Sequence, residues 1–147
     1  MIVVIADTSG LLAALDSGHP KHQASNEAIM AAGLLVMSPL LLAEIDHVAT
    51  CELGREAALS AVDDIGHWVR RGRVVLPEIT DSHLGVAQSV RARYRDLDLD
   101  LTDAVNVALA AEYDTDAVLT LDRRDFRAVR PLGRHKVFRV LPDDLPI

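Results

Sequence analysis

The chain has one cysteine, five aromatic residues and two lysines in 147 positions. Cys51 alone cannot close an internal disulfide, which fits a reducing, cytoplasmic setting. No nucleophile motif surrounds it, so it is expected to be a small buried hydrophobe. So few aromatics exclude a base-stacking sheet platform. No apolar run approaches the ~20 residues of a membrane span. The N-terminus lacks a basic region followed by a cleavable apolar segment, so no signal peptide is expected. The six histidines show no paired ligand spacing, which disfavours zinc. Glu44 and His47 stand three apart, as in di-iron bundles, but such bundles need that motif twice; His47 is expected at the surface or an interface.

What is present is a globular composition, half apolar and a quarter charged, long enough for one domain spanning residues 1–147 with a real core. The net charge of −7 argues mildly against a nucleic-acid binder. Thirteen of the fifteen basic residues are arginine, which suits bidentate phosphate recognition without requiring it.

Ile2-Val-Val-Ile-Ala6 is a wholly apolar run, as expected of a strand covered on both faces. Thr8 or Ser9 can cap the helix that follows. A second helix is predicted from Lys21 to Ala32 and a strand over Leu34–Met37. Ser38-Pro39 then starts a helix through Leu53. Another helix follows over Arg55–Arg71, and Val74–Leu76 is the third strand. Helices from Thr80 to about Arg95 and from Asp103 to Tyr113, the latter capped by Thr102, precede a fourth strand, Ala117–Thr120. Lys136–Val140 is the expected fifth strand. Strands alternating with helices imply an α/β protein with a mostly parallel sheet of about five strands.

In such folds ligands bind at the carboxyl ends of the strands. Asp7 and Asp122 stand just past apolar strands, and the helix beginning at Asp103 starts at the same edge, so topology brings three acids together. Glu44 shares a helical stripe with Leu40, Leu41 and Val48, whereas Asp46 lies off it. Singly, each acid has a plainer explanation. Asp7 suits a cap, Asp103 a helix dipole, Asp122 and Asp125 a turn, and Glu44 a salt bridge. Four independent structural roles need not fall on one edge, and four carboxylates suit Mg²⁺ or Mn²⁺. Thr8 and Thr120 are placed to hydrogen-bond the site. Arg123, Arg124, Arg127 and Arg130 follow it, and Arg91, Arg93 and Arg95 precede the loop holding Asp98 and Asp100. These arginines are candidates for holding a phosphate backbone, with Arg95, Arg123 and Arg124 foremost.

Ile-Ala-Asp7-Thr-Ser, Ser38-Pro39 with Ala43-Glu44, Leu-Thr102-Asp103-Ala and Leu-Thr120-Leu-Asp122-Arg-Arg-Asp125-Phe126, in this order and spacing, resemble the PIN-domain family, specifically its VapC-type toxins. The resemblance covers nearly the whole chain. It implies a three-layer α/β/α fold and Mg²⁺-dependent RNA cleavage by Asp7, Glu44, Asp103 and Asp122, with Asp125 an accessory candidate. It also implies a homodimer and a small antitoxin partner whose C-terminal segment enters the active groove. On this reading Asp7 and Asp103 hold the primary ion, while Asp122 and Glu44 complete its shell or a second ion's. Discounting four ligand acids takes the net charge from −7 to −3 and weakens the charge objection.

Two other readings compete. A Mg²⁺-binding phospho-acceptor domain of receiver type also places acids at a strand edge, but it wants paired acids after the first strand and a lysine near the last. Asp7 has no acidic neighbour, and Lys136 begins its strand. A catalytically silent PIN module acting only in interactions would not need the complete acidic quartet.

Overall fold

The computed structural model describes residues 1–146. Strands β1 (Val3–Ala6), β2 (Leu34–Val36), β3 (Val74–Val75), β4 (Ala117–Leu119) and β5 (Arg139–Leu141) form one all-parallel sheet in the order β3-β2-β1-β4-β5. Successive strand residues point to opposite faces. Ile5, Val36, Val118 and Val140 enter one core; Val4, Ala6, Leu35, Ala117, Leu119 and Leu141 enter the other.

Helices α1 (Thr8–Leu15), α2 (His22–Ala31), α3 (Pro39–Leu53) and α4 (Arg55–Arg70) cover the second face through Leu11, Ala28, Leu41, Ile45 and Ile65. Helices α5 (Asp81–Arg93), α6 (Leu101–Glu112) and α7 (Arg123–Ala128) cover the first through Ala87, Val90, Val105, Leu109 and Phe126. This is the expected three-layer α/β/α arrangement. Complete burial of a side chain such as Leu41 or Ile45 is worth about 1.5–3 kcal/mol, so each helix is held by a few apolar anchors. Gly10 lets α1 lie directly on β4, since a Cβ there would stand 2.6 Å from the Leu119 carbonyl oxygen.

Several local expectations are corrected. Cys51 is exposed, because the buried stripe of α3 is Leu41, Ile45 and Ala49, and a residue two beyond Ala49 faces away from it. The last strand begins at Arg139 rather than Lys136. Phe138 turns inward to meet Phe126 edge-on at 5.6 Å, and the ladder starts where the Arg139 amide donates to the Asp116 carbonyl. α5 stops at Arg93, and a short 3₁₀ turn over Arg95–Leu97 ends at Asp98 in the left-handed region, φ 50°. α6 is capped not by Thr102 but by Asp100, whose carboxylate accepts the Asp103 amide at 2.8 Å. α1 has Asp7 at its cap position without a side-chain cap bond. α7 occupies a stretch read as a turn, since two core anchors, Phe126 and Val129, carry too little periodicity to announce a helix. Among the described residues, no helix is long and apolar enough to cross a membrane.

Candidate metal centre

The carboxyl ends of β1 and β4 are held together by hydroxyl groups. Asp7, the residue after β1, donates its amide to the Leu119 carbonyl at 2.9 Å. Its carboxylate accepts the Thr120 hydroxyl at 2.7 Å, and that hydroxyl oxygen in turn accepts the Asp122 amide at 3.0 Å. Ser9 Oγ lies 3.2 Å from the same hydroxyl and accepts the Leu121 amide at 2.9 Å. Each hydroxyl is thereby used as donor and acceptor. Together they align Asp7-Thr8-Ser9 with Thr120-Leu121-Asp122.

Asp103 stands in the first turn of α6. Glu44, half-buried in α3, accepts the Thr102 hydroxyl at 3.3 Å across the gap between the two helices. Asp7, Glu44, Asp103 and Asp122 line one cleft of about 350 Å³, joined by Thr8, Asp100, His19 and Glu52. The closest grouping is different: single carboxylate oxygens of Asp103, Asp122 and Asp125 lie within 4.8 Å of one another. The structure therefore draws Asp125 beside two of the expected four, while Asp7 and Glu44 line the same cleft outside that grouping.

This convergence is electrostatically unfavourable in the protein alone. Burial, then repulsion by Asp7, Asp100, Asp122 and Asp125, pushes Asp103 from 3.8 up to about 8. Burial likewise pushes Asp7 up to about 6, against the hydrogen bonds from Thr120 and the Thr8 backbone and with added repulsion from Glu44 and Asp100. Asp125 is raised by burial, by the Asp122 charge and by its hydrogen bond with Asp122, with Arg124 pulling the other way. Asp7, Glu44, Asp103 and Asp122 form no ion pair with a basic side chain among the described residues. A hard divalent cation fits this set: every donor is oxygen, and the buried Thr8 hydroxyl beside them has no hydrogen-bond partner among the described residues.

The arginines divide sharply. Arg123 is committed to Asp143 at 2.6 Å and Arg127 to Asp144 through two 2.7 Å bonds. Arg124, its side chain 77 % exposed, has Asp125 at 3.7 Å as its one ion-pair partner among the described residues. Arg95 lies with Arg91 beside Asp98 in a shallow groove, and the Arg91 guanidinium donates to the Leu99 carbonyl. Arg93 lies over the Tyr94 ring at 5.8 Å. Reasoning from sequence missed His19, Glu52, the capping role of Asp100 and a buried asparagine, Asn106. For Asn106 the one available signal was a polar residue inside an otherwise apolar helix.

An α/β/α domain whose sheet ends in a carboxylate cluster, four of its acids without a basic partner among the described residues, is the class these observations define. The PIN domain family matches residues 4–131, and the chain belongs to that family. It is 37 % identical over 142 residues to Ribonuclease VapC26 of Mycobacterium tuberculosis, covering 95 % of this chain and all of that one. The fold is also that of VapC20 from Mycobacterium tuberculosis, a sarcin–ricin loop cleaving toxin, with TM-score 0.71 and 17 % identity over 82 % of this chain and 91 % of that one. DNA-bound VapBC from Salmonella typhimurium is similar at TM-score 0.63 and 18 % identity, covering 95 % and 97 %.

Proposed function

We propose that the chain is a divalent-cation-dependent endoribonuclease that hydrolyses RNA phosphodiester bonds as the toxin of a toxin–antitoxin pair. The observation that carries this is the convergence of Asp7, Glu44, Asp103 and Asp122 on one cleft, with no basic ion-pair partner among the described residues, in a chain 37 % identical to a ribonuclease. Asp7 and Asp103 hold the primary Mg²⁺ or Mn²⁺. Asp122 and Glu44 complete its shell or that of a second ion, and Asp125 is a further ligand beside Asp103 and Asp122. When bound, the cation makes water a competent nucleophile near neutral pH and offsets charge on the leaving oxygen.

The protein's own part is positioning. Thr120 orients the Asp7 carboxylate and Thr102 that of Glu44, so neither acid must be reordered at the moment of reaction. Arg124 and Arg95 are the arginines best placed to meet phosphates outside the cleft. The acidic cleft is complementary to a basic antitoxin segment. Homodimer formation and a cytoplasmic setting follow from the family resemblance. No observation favours a receiver domain: Asp7 is followed by Thr8 and Ser9, and both lysines, Lys21 and Lys136, are exposed.

The test is cleavage of total RNA by purified protein with Mg²⁺, compared with Asp7→Asn and with EDTA. Both are expected to abolish cleavage while circular dichroism stays unchanged. Undiminished cleavage by a pure Asp7→Asn preparation would refute the proposal.

A further inference from the structure

Asn106 lies on α6 one turn beyond Asp103, on the same face of the helix. It is completely buried, within a run from Asp103 to Ala110 that is buried throughout. An aliphatic side chain of similar size would satisfy that environment without a polar group to accommodate. The amide instead donates from Nδ2 to the carbonyl oxygen of Ala6 at 3.3 Å. Ala6 ends β1, and its carbonyl belongs to the peptide that leads into Asp7. The other amide atom, Oδ1, is buried with no hydrogen-bond partner among the described residues. A buried acceptor left unsatisfied costs about 1–3 kcal/mol, while the bond from Nδ2 contributes only about 1. Stability therefore does not account for the residue, and a local rule broken beside a site is characteristic of function.

We infer that Asn106 is a positioning residue for the acidic centre: its amide ties the end of β1 to the face of α6 carrying Asp103, and so sets the spacing between Asp7 and Asp103. The inference rests on the reading that these two acids share a cation. Ile5 of β1 and Ala104 and Val105 of α6 otherwise meet in one apolar core, a surface that resists separation but tolerates sliding. Two carboxylates that repel each other will drift apart along such a surface unless something directional holds their backbones. The Asn106 amide is that directional link, and it acts without touching a ligand or substrate.

The experiment is calorimetric titration of Mn²⁺ alone into cation-free protein, for wild type, Asn106→Leu and Asn106→Ala, with thermal melting of each. The leucine variant keeps the shape and removes both polar atoms; the alanine variant guards against overpacking. Expected is a folded leucine variant melting close to wild type, since the unsatisfied Oδ1 goes while the Ala6 carbonyl loses its donor. Its Mn²⁺ affinity is expected to be about 10–100-fold weaker, as for other groups that orient ligands from behind. In RNA cleavage kcat falls and KM holds. Equal Mn²⁺ affinity in either folded variant overturns the inference alone. Failure of both variants to fold overturns it too, by making the amide a core element. Absence of Mn²⁺ binding in wild type overturns it together with the cation reading.

Discussion

Asp114 and Asp116 lie at the amino end of β4, and Asp122 and Asp125 at its carboxyl end, three strand residues away. At the amino end each acid has its own cation. Asp116 meets Arg139 at 2.7 Å, and Asp114 meets Arg134 at 3.0 Å, with His135 within 3.6 Å of both. The hydrogen bond from Arg134 holds Asp114 below its usual carboxylate value. At the carboxyl end Asp7 and Asp103 are pushed up to about 6 and about 8, chiefly by burial, with added repulsion from Glu44 and Asp100 on Asp7 and from Asp7, Asp100, Asp122 and Asp125 on Asp103. One residue type in one sheet thus shows opposite shifts. Acids that help hold the fold are neutralised from within the chain; the acids proposed to hold a cation are left to repel.

The largest expected effect comes from removing that repulsion. Asp103→Asn is expected to lower RNA cleavage about a thousandfold, which corresponds to several kcal/mol of transition-state stabilisation. It should also raise the melting temperature of the cation-free protein. Asp116→Asn should do the reverse, leaving cleavage near wild type and lowering stability by about 0.5–1 kcal/mol. Matching stability changes in the two variants would erase the distinction between the ends.

The pH dependence sharpens the contrast. Asp103 and Asp7 have folded values raised above 3.8, so the stability they contribute is complete below about pH 4 and is lost as pH rises through 6 and then 8. Asp114 is lowered, so its contribution is present above 3.8 and is lost on acidification. Cation-free protein should therefore melt progressively lower between about pH 5 and pH 8.5, and saturating Mg²⁺ should flatten that slope because the cation replaces the protons. A slope untouched by Mg²⁺ would count against a shared cation at these acids.

The smallest effect is expected among the arginines. Arg124→Ala should weaken RNA binding a few-fold and reduce the logarithmic salt slope by about one, whereas Arg123→Ala, already paired with Asp143, should leave that slope nearly unchanged. Equal changes in filter-binding titrations would remove Arg124 from the phosphate path.

Much of this was legible in the chain. Ile2–Ala6 and Ala117–Leu119 are apolar enough to be interior strands, and an acid directly after such a strand must emerge at its carboxyl edge. Asp7 and Asp122 were readable for that reason, and Asp103 because its helix begins there. Glu44 was readable because it interrupts an apolar stripe, though it is half-buried rather than enclosed. α7 was not legible, because Phe126 within its six residues and Val129 just after them are too few anchors to set a period. Asn106 was not legible either. Its role depends on a carbonyl 100 positions earlier in the chain.

By itself, then, the sequence determined the alternation of strands and helices, the parallel sheet and the edge at which the acids emerge, because burial periodicity and helix-start chemistry act over a few residues. Only the tertiary structure decided which acids draw closest, bringing Asp125 to Asp103 and Asp122. It also decided which arginines stay free, since Asp143 and Asp144 reach back 20 and 17 residues to Arg123 and Arg127. Both outcomes turn on distances of a few ångströms between segments remote in sequence, and Coulomb and hydrogen-bond energies at that range depend on where the packed helices place their ends.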